Sequence, residues 1–232
     1  MAQIFPVKII AHIHSDFPTK FGVPRQSGLI EGLESRIVFE PEYRDPQALR
    51  GLEEFSHLWL LWQFSKAVRE DWSPTVRPPK LGGNRRVGVF ATRSPFRPNA
   101  IGLSSVKLLG IEKRPQEGCV LRVAGADLMD GTPILDIKPY LAYTDSHPQA
   151  TGGFTDRLNL QPLKVDIPKQ EADKMPPDKC AALIAVLQSD PRPSYQHDPQ
   201  RVYGFAFGSW EVHFCVDEDR LTVIGIEQKA DQ

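Results

Sequence analysis

The run HLWLLWQF, His57 to Phe64, decides the architecture. It is short, apolar and aromatic, with no glycine or proline. It reads as a β-strand with enough apolar surface to be buried on both faces. Working outward, Phe5–His14, Ser35–Glu40, Arg86–Thr92, Ile101–Ile111, Cys119–Ala124 and Pro133–Leu141 are further short apolar segments. Arg114-Pro115-Gln116-Glu117-Gly118 is the turn between the fourth and fifth of these. Only Pro46–Phe55 looks helical in this half. Many short strands with turn signals between them predict a mainly β fold, a sandwich or barrel, over residues 1–145.

The pattern changes after Tyr143. Residues 144–177 are polar and carry Pro148, Pro162, Pro168, Pro176 and Pro177, so 146–177 reads as a linker or crossing segment. Asp178–Gln188 has a proline–acid start and an apolar face, which predicts a helix. Val202–Phe207 and Glu211–Val216 flank Gly208-Ser209 as a hairpin, and Leu221–Ile226 can add a third strand. Residues 178–232 therefore form a small α+β appendage, too small to hold much core alone.

The chain has 232 residues, a net charge of -1 and 41% hydrophobic residues, the composition of a soluble globular protein. Near-neutral charge excludes a molecule-wide basic field, so a nucleic-acid site must be a local patch. Cys119, Cys180 and Cys215 stand far apart and form no CxxC pair, which points to neither zinc nor disulfides and fits a reducing cytoplasm. Neither a signal peptide nor a long apolar span is expected.

Charge is nevertheless segregated. Trp72 to Ile111 contains Arg77, Lys80, Arg85, Arg86, Arg93, Arg97 and Lys107 without one acid. The stretch reads as a phosphate-facing patch, or else as a solvated face whose acids come from elsewhere. Inside it lies Arg93-Ser94-Pro95-Phe96-Arg97-Pro98-Asn99, where two prolines hold Ser94 and Arg97 extended. Rigid placement suits an arginine that must bind, since less freedom is lost on binding. Three more clusters are notable: Phe21-Gly22-Val23-Pro24-Arg25-Gln26-Ser27-Gly28, Gly125 to Tyr140 with its Asp130-Gly131 turn, and Asp190-Pro191-Arg192-Pro193-Ser194-Tyr195-Gln196-His197. Asp136 stands between Leu135 and Ile137, so its carboxyl needs a partner, either functional or a structural one in Lys138 or an arginine of the basic stretch. Tyr195 offers a ring for an unpaired base, or simply closes a turn. Neither GxGxxG nor a Walker, HExxH or GxSxG motif is present, so a nucleotide-like cofactor must be held by loops on a β scaffold.

FGVPRQSGL, EEFSHLWLLWQF, GVFATRSPFRPNAIGLS, DLMDGTPILDIKPY and SDPRPSYQ with RVYGF, in that order, resemble the TsaA-like (TrmO) family over almost the whole chain. The resemblance implies a single-sheet β-barrel that binds S-adenosylmethionine, and a homodimer with the cofactor near its interface. It implies N6-methylation of N6-threonylcarbamoyladenosine at position 37 of threonine tRNA. Motif matching assigns cofactor contacts to Pro24, Arg25, Gln26, Ser65, Lys66, Arg93, Leu103, Leu128, Met129, Asp130 and Gly131. One departure is Ser65-Lys66, where members often carry His-Lys, so contact there would run through backbone. Arg85, Arg86, Arg97, Asn99 and Arg192 are the candidate substrate contacts, with Arg97 for the threonyl carboxylate. Asp136, Asp190 and Tyr195 are the candidate proton acceptors. Two other readings use the same residues: a non-catalytic S-adenosylmethionine-binding module, and a plain RNA-binding barrel. The latter is disfavoured by few aromatics among the cations.

Overall fold

The computed structural model describes residues 3–69, 71–78, 85–157, 161–192 and 198–229. Six strands form the first unit: β1 (Ala11–His14), β2 (Glu34–Phe39), β3 (His57–Gln63), β6 (Ile101–Arg114), β7 (Gly118–Ala124) and β8 (Thr132–Pro139). A two-stranded ribbon, β4 (Thr75–Val76) with β5 (Val87–Gly88), interrupts them. The six pair antiparallel in the order β1-β2-β7-β6-β3-β8, and β8 pairs back onto β1, so the sheet closes on itself as a barrel.

Alternation along each strand fills the interior. Leu58, Leu60 and Trp62 of β3 point in beside Ile13, Ile37, Val106, Leu121 and Ile134, all buried. His57, Trp59, Leu61 and Gln63 face out and are only partly covered. Burial of β3 is thus one-sided, contrary to the expectation from its composition: no second sheet covers its outer face, where Trp59 instead packs beside Tyr140.

The second unit is a four-stranded sheet ordered β10 (Tyr203–Phe207), β11 (Trp210–Asp217), β12 (Arg220–Gln228) and β9 (Lys164–Asp166), with β9 parallel to β12. α3 (Pro177–Gln188) lays Ala182, Leu183, Val186 and Leu187 against Phe205, Phe214 and Leu221. Pro177 at its first turn is preorganised for a helix start. A short α1 (Ala142–Asp145) follows the barrel, and α2 (Lys169–Ala172) contacts β12.

Several expectations are corrected here. The segment 146–177 is not a plain linker, because β9 and α2 within it belong to the second sheet unit. A three-residue strand between prolines carries too little periodicity to be read. Only Ala11–His14 of Phe5–His14 is a strand. Arg86–Thr92 shrinks to Val87–Gly88 followed by a 3-10 turn at Val89–Ala91, since its one neighbour is the two-residue β4. Pro46–Phe55 forms two 3-10 turns rather than an α-helix.

The loop between β1 and β2 joins the two units. Its Phe17, Ile30 and Leu33 are buried in the core of the second unit, with Phe17 edge-on to Phe207 at 5.7 Å. Gly22 sits at φ 87°, and a Cβ there would lie 2.6 Å from the Phe205 ring, so only glycine lets the loop lie this close. Lys179 pairs with Asp16 at 2.5 Å, and Gly208 N donates to Asp16 O at 2.7 Å. Phe17→Ala removes a ring from this junction and is expected to cost about 3–5 kcal/mol. Urea denaturation of the full chain measures the loss.

Candidate functional site

At one end of the barrel the inward side chains turn polar. Ser35, Ser104 and Thr132, at the starts of β2, β6 and β8, are buried there. Trp62 and Gly102 are partners across the β3–β6 ladder, and a Cβ on residue 102 would fall 2.2 Å from the indole. The indole therefore lies flat against the neighbouring strand, and its Nε1–H donates to Ser104 Oγ at 2.9 Å. Ser104 Oγ in turn donates to Asp127 Oδ1 at 2.5 Å.

Asp127 is the residue that sequence reasoning missed. Burial pushes its carboxyl above the ordinary carboxylate value. The Ser104 hydroxyl, its own backbone, the Arg93 guanidinium and the Ser27 backbone pull the other way without cancelling that effect. Its signal was available in Gly125-Ala126-Asp127-Leu128: an acid flanked by apolar residues, the same argument that was applied to Asp136.

Around Asp127 two stiff loops meet. Arg93 Nη1 donates to Gln26 Oε1, and Gln26 Nε2 donates to the Arg25 carbonyl. Ser27 Oγ accepts from Ser105 N at 3.1 Å, and Gly28 N donates to Gly125 O at 2.8 Å, so residues 24–28 are stitched to β6 and to the segment after β7. Pro24 is buried beneath them. From the second unit, Asp190 ends α3 at φ 51° and offers its carbonyl to Arg25 Nη2 at 3.0 Å. The Asp190 carboxylate is held by Arg192 on both oxygens, at 2.9 and 3.1 Å, with Arg192 only 8% exposed. Arg25, Gln26, Arg93, Asp190 and Arg192 thus form one chain of contacts, although they lie far apart in sequence.

The turn 128–131 sits beside the β1–β2 loop. Leu128 is buried in the barrel and its carbonyl accepts from Ser15 Oγ at 2.9 Å. Met129 O is taken by Thr132, and Asp130 and Gly131 donate their N–H groups to Phe17 O and Ile13 O. Asp130 Oδ1 accepts from Ser15 N at 3.1 Å and lies 3.3 Å from His14 Nδ1. Leu103 is 53% exposed on the outer barrel wall. Register places Leu103, Leu61 and Asp136 in one outward row across β6, β3 and β8. Asp136 is paired with Lys138 at 2.8 Å, the alternative partner expected for it.

Ser65 and Lys66 form an exposed turn after β3. Arg97 Nη1 donates to Thr92 O at 3.2 Å, which ties the proline-flanked loop to itself. Arg86 donates to Thr75 Oγ1, and Arg85 and Asn99 are exposed without a side-chain partner among the described residues. Tyr195 and Lys80 lie outside the described residues.

Comparison with known proteins places this geometry. Residues 12–146 match the tRNA-methyltransferase O N-terminal domain, and residues 161–229 the TrmO C-terminal domain. The chain is 37% identical to the tRNA (adenine(37)-N6)-methyltransferase of Escherichia coli K12, covering 97% of this chain and 99% of that one. It is 39% identical to a Pseudomonas aeruginosa relative whose name places it among S-adenosylmethionine-dependent methyltransferases, over 90% of this chain and 91% of the other. The crystal structure of TrmO from the same organism superposes with a TM-score of 0.78 at 33% identity, covering 98% and 99% of the two chains.

The raised Asp127 carboxyl has a stability consequence. Between its unfolded and folded values the native state holds more protons, so this group makes stability fall as pH rises through that window. Asp127→Asn is expected to remove this slope. Urea denaturation from pH 3.5 to 7, wild type minus variant, isolates it from the other carboxyls.

Proposed function

The chain belongs to the tRNA-methyltransferase O family, and from that premise we propose that it methylates N6 of adenosine 37 in tRNA, with S-adenosylmethionine as donor. The observation that carries the reading is the Arg93–Gln26 contact, which brings the two proline-stiffened loops together over the half-buried Asp127. The residues fit the donor. Arg93 and Arg25 suit its carboxylate, the Asp130 carboxylate suits a cationic or hydroxyl group, and exposed Leu103 offers an apolar wall for an adenine. Gln26, the backbone of Ser65 and Lys66 and the 128–131 turn complete the contacts. Buried Leu128 serves as a support for that turn.

When bound, S-adenosylmethionine supplies an electrophilic methyl on a sulfonium. The protein must then orient N6 and accept the proton that leaves it. Orientation by the rigid loops can supply about 7–11 kcal/mol. Asp136, Asp190 and Tyr195 are the proposed proton acceptors. Asp136 shares the outward row with Leu103, whereas Asp190 must loosen its Arg192 pair to act.

The finer substrate is N6-threonylcarbamoyladenosine in threonine tRNA. Its carbamoyl group makes the N6 proton more acidic than that of plain adenosine. Its carboxylate gives a spare donor of Arg97 something to clamp, which discriminates strongly against unmodified adenosine. Arg85, Arg86 and Asn99 are the proposed contacts to the surrounding RNA; Arg192, expected to join them, is buried and held by Asp190, so it supports the loop instead. A second copy of the chain is expected to cover the apolar side chains left exposed on 68–103, including Trp72 at 51% and Phe90 at 73%. No helix among the described residues is long and apolar enough to cross a membrane.

Mass spectrometry of threonine-tRNA nucleosides from cells lacking the protein tests the reaction. A loss of about one methylene in mass at position 37 is expected, and an unchanged nucleoside would leave a non-catalytic module. At least one of Asp136→Asn, Asp190→Asn and Tyr195→Phe is expected to lower kcat by about 10²–10⁴-fold in steady-state assays. Arg97→Ala is expected to erase the preference for threonylcarbamoylated over unmodified tRNA when kcat/KM is measured on both.

A further inference from the structure

A cavity of about 440 Å³ lies on the outer wall of β3 and β6. Its floor is aromatic. The Trp59 and Tyr140 rings lie 5.4 Å apart, and His57 lies 6.2 Å from Tyr140. These rings are held in place. Trp59 Nε1 donates to Asp145 Oδ2 at 2.8 Å, and Leu141 N donates to the same oxygen at 2.9 Å. Tyr140 N donates to His57 O at 2.9 Å. The two donors keep the Asp145 carboxyl below its usual range, led by the Leu141 N–H. Lys107 stands exposed at the rim, across the ladder from His57, and has no carboxylate partner among the described residues. Ser105 and Glu31 complete the polar lining.

We infer that this cavity takes one unpaired nucleotide of the substrate RNA, with its base against the Trp59–Tyr140 rings and its phosphate on Lys107. The inference rests on the RNA-methylation reading above. Preformed ring faces beside an unpaired cation match how single-stranded bases are bound, by stacking and backbone charge. Continuity with the candidate site supports that occupant. Ser27, which lines the cavity, follows Gln26 directly, and its hydroxyl accepts from Ser105 of the cavity wall. Along β6, Leu103 and Lys107 are four residues apart, roughly 13 Å at strand rise. A loop nucleotide close to the target base can therefore reach the cavity while the target lies at the donor site.

The test is a fluorescence-anisotropy titration of end-labelled threonine tRNA onto the full chain, with calorimetric titration of S-adenosylmethionine in parallel. Trp59→Ala is expected to weaken tRNA binding at least tenfold, about 1.4 kcal/mol. Lys107→Ala changes an exposed side chain that supports no packing. It is expected to reduce the slope of log Kd against log salt by about one. Both variants should bind S-adenosylmethionine like wild type. Wild-type tRNA affinity and salt slope in both variants would overturn the proposal. So would conversion of both variants to monomers in sedimentation, which would make this face a contact between copies. A wild-type chain that binds neither tRNA nor S-adenosylmethionine would overturn the underlying reading as well, and is told apart because it appears before any substitution.

Discussion

A six-stranded sheet that closes on itself has no free edge, and its interior is too narrow for anything but side chains. Here Ile13, Ile37, Leu58, Leu60, Leu121 and Ile134, all fully buried, occupy it together with Trp62 and Val106. Any ligand must therefore be met outside, on the wall or at a rim. The end where β2, β6 and β8 begin is the one whose inward residues become Ser35, Ser104 and Thr132, and the loops that carry the candidate site leave from there. Closure is thus the reason that the candidate site is built from connections and the outer wall and not from a pocket inside the sheet.

Those connections have to be rigid, and two devices make them so. Prolines restrict residues 24 and 95–98 before any contact forms. The second device is the shared use of the β1–β2 loop. Its Phe17, Ile30 and Leu33 belong to the core of the C-terminal unit, its Ser15 and Phe17 bind the 128–131 turn, and its Ser27 binds β6. The C-terminal unit also supplies the Asp190 carbonyl that Arg25 grips. A tail with no catalytic group of its own would still be needed, because it fixes the loop from behind.

Asp127 shows how loss of solvent acts on a carboxyl at the candidate site. Removal from solvent makes this carboxyl costly to keep charged, although the Ser104 hydroxyl and the Arg93 guanidinium offset part of that cost, and it sits where Gln26 and Arg93 converge. Such strained electrostatics concentrate at working sites. Asp136, by contrast, satisfies itself with Lys138 on the barrel's outer face.

The mainly β character, the α+β tail, the α3 helix and the C-terminal hairpin were legible in the chain, because period-two alternation, proline starts and Gly-Ser turns are local physics. The stiffness of the candidate loops was legible for the same reason: prolines and glycines announce restricted backbone and tight approach wherever they stand. What no local pattern contained was which strand closes onto which, that β9 joins β12, or that of Asp127 and Asp136 it is Asp127 that loses solvent enough to shift its carboxyl. Two acids with nearly identical apolar neighbours parted company only when one faced Ser104 across a closed sheet and the other faced outward beside Lys138. Burial is decided by partners distant in sequence, and only the assembled fold brings those partners together.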